Sequence, residues 1–396
     1  MPSYSPDGRL ASGLPVIGSR DVLVGYPLGP APWPPQTGNP VVPDADPARA
    51  LRAALLPALL RPPCVVAFSG GRDSSLLLAV AAGLAHREGL EPPHAVTFRY
   101  PGDPAAAESE WQELVAEHLR SQRLRFDWTC HDIGDELDLV GPLAAPILRA
   151  HGGPVFPAAI GHTVALARLT GGGSLVTGNA GDEVLGGHRI AVLRAVARRR
   201  GRGLTRTEWA VVAAAAAPTP VRLALGRRGA GTAPWLRPAV RRAVRARMAR
   251  ELARRPLRWD RSVAAALRSR AGSIGTRTRA AVAASHGCML VDPLRAPAFV
   301  ASYAAFGNRW GGLTRDAGTR LLGGGLLTDA LVRRTSKAYF NGSRFGPASR
   351  AFARDWDGSG VDDSRVDPEA LRDAWLSVVP PATTAMLLQQ AWLATT

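Results

Sequence analysis

Residues 69–74, Ser69-Gly70-Gly71-Arg72-Asp73-Ser74, place two hydroxyls, two glycines and a carboxylate within six positions. Glycines lack the Cβ atoms that stop backbone from closing on a ligand, and the free N–H groups of a helix N-terminus attract anions. A phosphate fits such a turn. No lysine follows the second glycine, so the mononucleotide loop G-x-x-x-x-G-K-[ST] is disfavoured. A second cluster, "SLVTGNAGDEVLGGHR" at 174–189, repeats the logic with a short apolar run, glycines and then Asp182-Glu183. Asp73 and Asp182, each delivered by a strand end, could share a Mg²⁺ bound to a triphosphate, because Mg²⁺ prefers one or two carboxylates plus phosphate oxygens.

The elements that must position these groups are legible around them. Val65, Val66, Ala67 and Phe68 form an apolar run between Pro63 and Gly70, the signature of a strand buried on both faces. Beyond Ser74, Leu77, Leu78, Ala81, Ala82 and Leu84 recur at helical spacing until Gly89. "HAVTFR" (94–99), "RLRFDWTC" (123–130) and "SLVTG" (174–178) read as further strands, separated by helical stretches such as "ESEWQELVAEHLRSQ". This alternation predicts an α/β fold, a parallel sheet with helices on both faces and ligands at the carboxyl ends of its strands. After 190 the strand signals fade. The expected organisation is a Pro/Gly-rich arm (1–49), an α/β domain (50–190), an Arg-rich helical region (191–285) and a mostly helical C-terminal part (286–396).

Composition narrows the partners. At 396 residues and 46% hydrophobic the chain can bury a large core, and no apolar run approaches the roughly 20 residues of a membrane span. The first 30 residues lack a basic segment followed by an apolar one, and the three cysteines form no C-x-x-C pair, so a cytoplasmic protein without disulfides or a zinc knuckle is expected. Between Arg189 and Arg279 lie 24 arginines against Glu208, Glu251 and Asp260, so this segment carries more than the whole net charge of +17. Such an excess suits RNA, an acidic peptide or a membrane surface, and equally a solvated helical surface; the scarcity of interleaved aromatics favours the last. Among 49 basic residues only Lys337 is a lysine. A guanidinium cannot replace a compact ammonium that must reach a phosphate, which makes Lys337 a site candidate.

The S-G-G-x-D-S order resembles the pyrophosphate loop of the N-type ATP pyrophosphatases. Within that group the 174–189 stretch resembles the asparagine synthetase signature S-G-x-G-x-D-E, an apolar pair and G-G, matched by Thr177, Gly178, Gly181, Asp182, Glu183, Val184, Leu185, Gly186 and Gly187 or by conservative variants. Thr97, Phe98, Glu108, "VDPLRAPAFV" at 291–300 and "TRLLGGGLLTDALVRRTSKAYF" at 319–340 extend the similarity over about residues 60–345.

The resemblance implies an adenine-nucleotide α-hydrolase-like fold and an AMP-forming amide synthetase. A carboxylate attacks the α-phosphate of ATP, and an amine then displaces AMP from the acyl-adenylate. On this pattern Ser69, Gly70, Gly71, Ser74, Arg320 and Lys337 hold the pyrophosphate. Asp73 and Asp182 bind Mg²⁺, and Thr97, Phe98 and Gly178 line the adenosine pocket. Asn179 stands where asparagine synthetases carry a glutamate and β-lactam synthetases a tyrosine. An amide is no general base, which points away from strict asparagine synthesis and toward an amide ligase for another carboxylate, such as a lasso-peptide macrolactam cyclase or a natural-product amide synthetase. The chain begins Met1-Pro2 instead of with the cysteine of a glutaminase domain. The amine is therefore expected from free ammonia, a separate glutaminase or the substrate itself. The rival readings are an RNA-modifying ATP pyrophosphatase and a non-catalytic homologue that binds a peptide; nucleic acid is not the expected partner.

Overall fold

The computed structural model describes residues 13–31, 43–103, 106–198, 203, 205–229, 233–336, 338 and 340–396. Its centre is a five-stranded sheet of β1 (Cys64–Ala67), β2 (His94–Arg99), β3 (Asp127–Asp132), β4 (Ser174–Val176) and β5 (Met289–Val291), in the order β3-β2-β1-β4-β5. Every neighbouring pair is parallel, with Val66 opposite both Ala95 and Val176. Alternation along β1 sends Val66 into one core with Leu76, Leu77 and Leu84 of the Arg72–Glu88 helix, and Val65 into another with Leu166 and Ala283. Helices thus cover both faces, as a parallel sheet requires.

The chain winds outward from β1 to β2 and β3, then returns to place β4 and β5 on the other side of β1. The order reverses between β1 and β4, where the two glycine turns leave the sheet, and in open α/β sheets ligands bind at such a switch point.

Among the described residues, the Arg-rich segment forms the helices Arg189–Arg198, Arg206–Ala216, Thr219–Gly229, Pro238–Arg254, Trp259–Arg268 and Arg270–Ser285. A further core joins the N-terminal and C-terminal parts, with Leu14, Ile17 and Val22 packed among Trp235, Trp356, Trp375 and Met386.

Three expectations are corrected here. β5 lies in a segment expected to be helical; with three residues it is too short to show any period, and its pairing with β4 makes it a strand. β3 begins at Asp127, four residues later than the apolar run suggested, because the turn at 122–125 uses a left-handed Arg123. Within the proposed arm, residues 19–24 form a helix whose Val22 and Val24 are buried. The rest of that arm, 1–12 and 32–42, lies outside the described residues.

Candidate active site

β1 delivers the first turn. Gly70 has φ +79°, a left-handed conformation that favours glycine, and a Cβ there would stand 2.8 Å from Gln112 Cγ. The Ser74 hydroxyl donates to Gly71 O at 3.0 Å and accepts from the Ser69 N–H at 3.2 Å, so the turn holds its own shape. Arg334 clamps it from outside. Its guanidinium forms a forked pair with Glu108, donates to Gly70 O at 3.0 Å and lies 4.7 Å from the Trp111 ring centre, with both charged side chains almost wholly buried.

β4 delivers the second turn close beside the first. A Cβ on Gly181 would lie 2.2 Å from Asp73 Oδ2, so the glycine is what lets the two aspartates approach. They converge on one cationic group: Arg315 donates to both Asp73 oxygens, at 2.8 and 2.7 Å, and pairs through its other terminal nitrogen with Asp182. Burial pushes the Asp73 carboxyl up, and Asp182 adds to that, so its ionisation depends on a cation beside it. Burial opposes the charge on Arg315, but the two carboxylates outweigh it and raise the guanidinium pKa. Two carboxylates that share one cationic partner fit a Mg²⁺ bound to phosphates.

Together the turns line a cavity of about 720 Å³. Its polar end holds Ser69, Gly71, Asp73, Ser74, Asp182, Arg72, Arg315 and Arg334; its apolar end holds Ala67, Val96, Phe98, Leu166 and Leu175. Gly178 and Asn179 also line it. Arg279 and Arg344 add further positive charge, and burial lowers the Arg344 pKa.

His162 packs edge-on against Phe98, with ring centres 5.2 Å apart. Burial, with Arg344 and Arg279 adding to it, lowers its imidazole to about 4. The group is neutral at pH 7. Its folded pKa lies below the unfolded value near 6.5, so its stabilisation is complete above that value and is lost as pH falls toward 4. At about 1.4 kcal/mol per unit the full loss is roughly 3 kcal/mol. Urea unfolding at pH 7 and 4.5 should show a smaller drop for His162→Gln than for the wild type; equal drops would place the acid sensitivity elsewhere.

Asn179 belongs to a polar cluster at the ends of β4 and β5. Its amide nitrogen donates to Thr177 Oγ1 and, at 3.2 Å, to Asp292 Oδ1, which also accepts from Thr177. Asp292 is in turn ion-paired with Arg279 at 3.2 Å. An ionised carboxylate only accepts hydrogen bonds, so the NH₂ group of Asn179 must face Asp292 and its Oδ1 is turned elsewhere.

Among the described residues, three expected site residues do not line the cavity: Thr97, Arg320 and Gly70. Thr97 points away from it: fully buried, it donates to Phe68 O at 2.7 Å and accepts from Trp128 Nε1 at 2.9 Å. Val96 and Phe98 line the cavity, so Thr97, between them on the strand, faces the opposite side. Arg320 pairs with the exposed Asp329 instead of facing the polar end, where Arg315 stands. Five residues turn a helix by about 140°, so the Arg315–Gly323 helix cannot aim both arginines the same way. Gly70 contributes backbone geometry without lining the cavity. Lys337 lies outside the described residues, and its neighbours Ser336 and Ala338 line the cavity.

Motifs alone do not mark Arg315, Arg334 and Asp292 as site residues, although all three fall in or beside the stretches at 291–300 and 319–340. For Arg315 the usable signal was helical facing relative to Arg320. For Asp292 it is a carboxylate at the end of the short apolar run 289–291, without the glycines that mark the other two turns.

The architecture and this basic, half-apolar cavity define an α/β protein with a nucleotide-sized site at the carboxyl ends of a parallel sheet. The chain belongs to the asparagine synthase family of ATP-dependent ligases that form C–N bonds: the family model described as Asparagine synthase matches residues 52–296. That span runs from the helix before β1 to just beyond Asp292. No curated protein matches the chain. Among the described residues no helix is long and apolar enough to cross a membrane.

Proposed function

We propose that the protein is an AMP-forming amide synthetase that adenylates a carboxylate with ATP and passes the acyl group to an amine. The observation that carries this reading is the convergence of Asp73 and Asp182, from two strand ends, on one cationic position beside the Ser69–Ser74 turn. The turn's backbone and hydroxyls, with Lys337, hold the pyrophosphate, while Phe98 and the apolar end receive the adenosine. Asp73 and Asp182 would hold a Mg²⁺, which would supply charge neutralisation for the leaving pyrophosphate. Arg315 and Arg72, each already paired with carboxylates, supply preorganised N–H donors at the same end, and electrostatic preorganisation of this kind is the largest contribution to many such steps.

Asn179 does not remove a proton. Held by Asp292, it presents Oδ1 as an acceptor that orients the N–H of the incoming amine. This suits an amine that is already part of a larger substrate, and it favours a natural-product or lasso-peptide type of amide synthetase over asparagine synthesis.

Exchange of radiolabelled pyrophosphate into ATP across a panel of carboxylic acids and peptides tests the reading; Mg²⁺-dependent exchange with a member of the panel is expected, and none with any of them counts against it. With an active carboxylate in hand, Asp292→Asn should keep exchange within about threefold while slowing hydroxylamine trapping of the acyl group tenfold or more. Equal loss in both assays would remove the amine-orienting role.

A further inference from the structure

A second cavity, of about 530 Å³, opens among the Arg-rich helices. Arg247, Arg250 and Arg254 occupy one stripe of the Pro238–Arg254 helix, at spacings of three and four residues, and Glu251 lies within the same stripe. Arg270, the first residue of the Arg270–Ser285 helix, and Arg20, from the short N-terminal helix, close the ring. Five arginines therefore line one cavity.

Their compensation is incomplete. Asp21 pairs with Arg270 at 2.6 Å and with Arg247 at 3.4 Å. Glu251 reaches only Arg254, at 4.0 Å, and neither Arg20 nor Arg250 has a carboxylate partner among the described residues. Like charges gathered without counterions repel, so the arrangement favours an anionic occupant. The remaining wall is segment 28–30. Arg247 donates to Leu28 O at 3.1 Å, Arg270 N donates to Gly29 O at 2.9 Å, and Pro30 bridges Ser269, which fixes segment 28–30 over the arginines.

We propose that this cavity binds an acidic peptide segment. Guanidinium forks match carboxylates two bonds at a time. The volume is that of a small-ligand site, suited to a short segment. Glu251 disfavours a compact polyphosphate and offers an acceptor to peptide N–H groups, while Leu28 and Pro30 give an apolar wall for peptide stems. Among the described residues no aromatic ring lines the cavity, so none of them offers the stacking platform that single-stranded nucleic acid uses. Arg270 and Arg279 share one helix nine residues apart, about 14 Å at 1.5 Å per residue, so a bound segment lies within a few residues' reach of the nucleotide cavity.

The test uses the full chain and a fluorescein-labelled peptide of alternating glutamate and glycine, read by anisotropy at 50 and 300 mM NaCl. Binding that weakens with salt is expected, together with a loss of tenfold or more in Arg250→Glu/Arg254→Glu. Both positions are exposed and lie outside the nucleotide cavity, so the melting temperature and any pyrophosphate exchange should be retained. Undiminished binding by the double variant would overturn the proposal. So would tighter binding of inorganic triphosphate, or of a single-stranded RNA of equal charge, that is lost with the same substitutions.

Discussion

Asp73→Asn should lower Mg²⁺-dependent pyrophosphate exchange by 10²–10³-fold, the usual cost of one preorganised electrostatic contact to the reacting groups. Asp182→Asn should fall in the same range, because the two carboxylates meet at one position, where Arg315 touches both. The double variant is the sharper measurement. Groups that serve a single cation are strongly non-additive, so it should be little worse than the weaker single variant. Independent roles would instead multiply the two losses, and that outcome would separate the aspartates. The fold should survive each change: asparagine keeps the shape of the side chain, and the Ser69–Ser74 turn is held by its own hydroxyls and by Arg334.

Arg334→Ala should be among the most destabilising single substitutions in the protein, by about 3–5 kcal/mol, because it leaves the buried Glu108 carboxylate without its partner. The same change removes the donor to Gly70 O and the contact with Trp111. Urea unfolding monitored by tryptophan fluorescence would show the loss as a lower midpoint with an unchanged slope. Arg334→Met/Glu108→Gln should recover much of the stability without restoring exchange, since the turn would still lack its clamp. A stable Arg334→Ala protein would mean that water or a neighbouring group satisfies Glu108 and that the pair is not what holds the turn.

Local chemistry made part of this protein readable from its residues alone. The apolar run at 65–68, the glycine turn and the Leu/Ala helix that follows are determined by contacts a few residues apart, and Gly70 is needed wherever that turn adopts positive φ. The acidic ends of two strands likewise announced a pair, since the parallel α/β pattern brings strand ends to one edge. Other features depend on which way a side chain faces or on what lies across the fold. Strand alternation turns Thr97 away from the pocket that the resemblance implies for it, and only a packed helix decides that Arg315, not Arg320, faces the aspartates. β5 has too few residues to reveal itself and becomes a strand by pairing with β4. Arg334 and Glu108 are 226 residues apart, and Asn179 and Asp292 are 113 apart. Partnerships at such separations leave no periodic trace in the chain, because they arise from desolvation and charge balance that exist only once the sheet and its helices have closed around them.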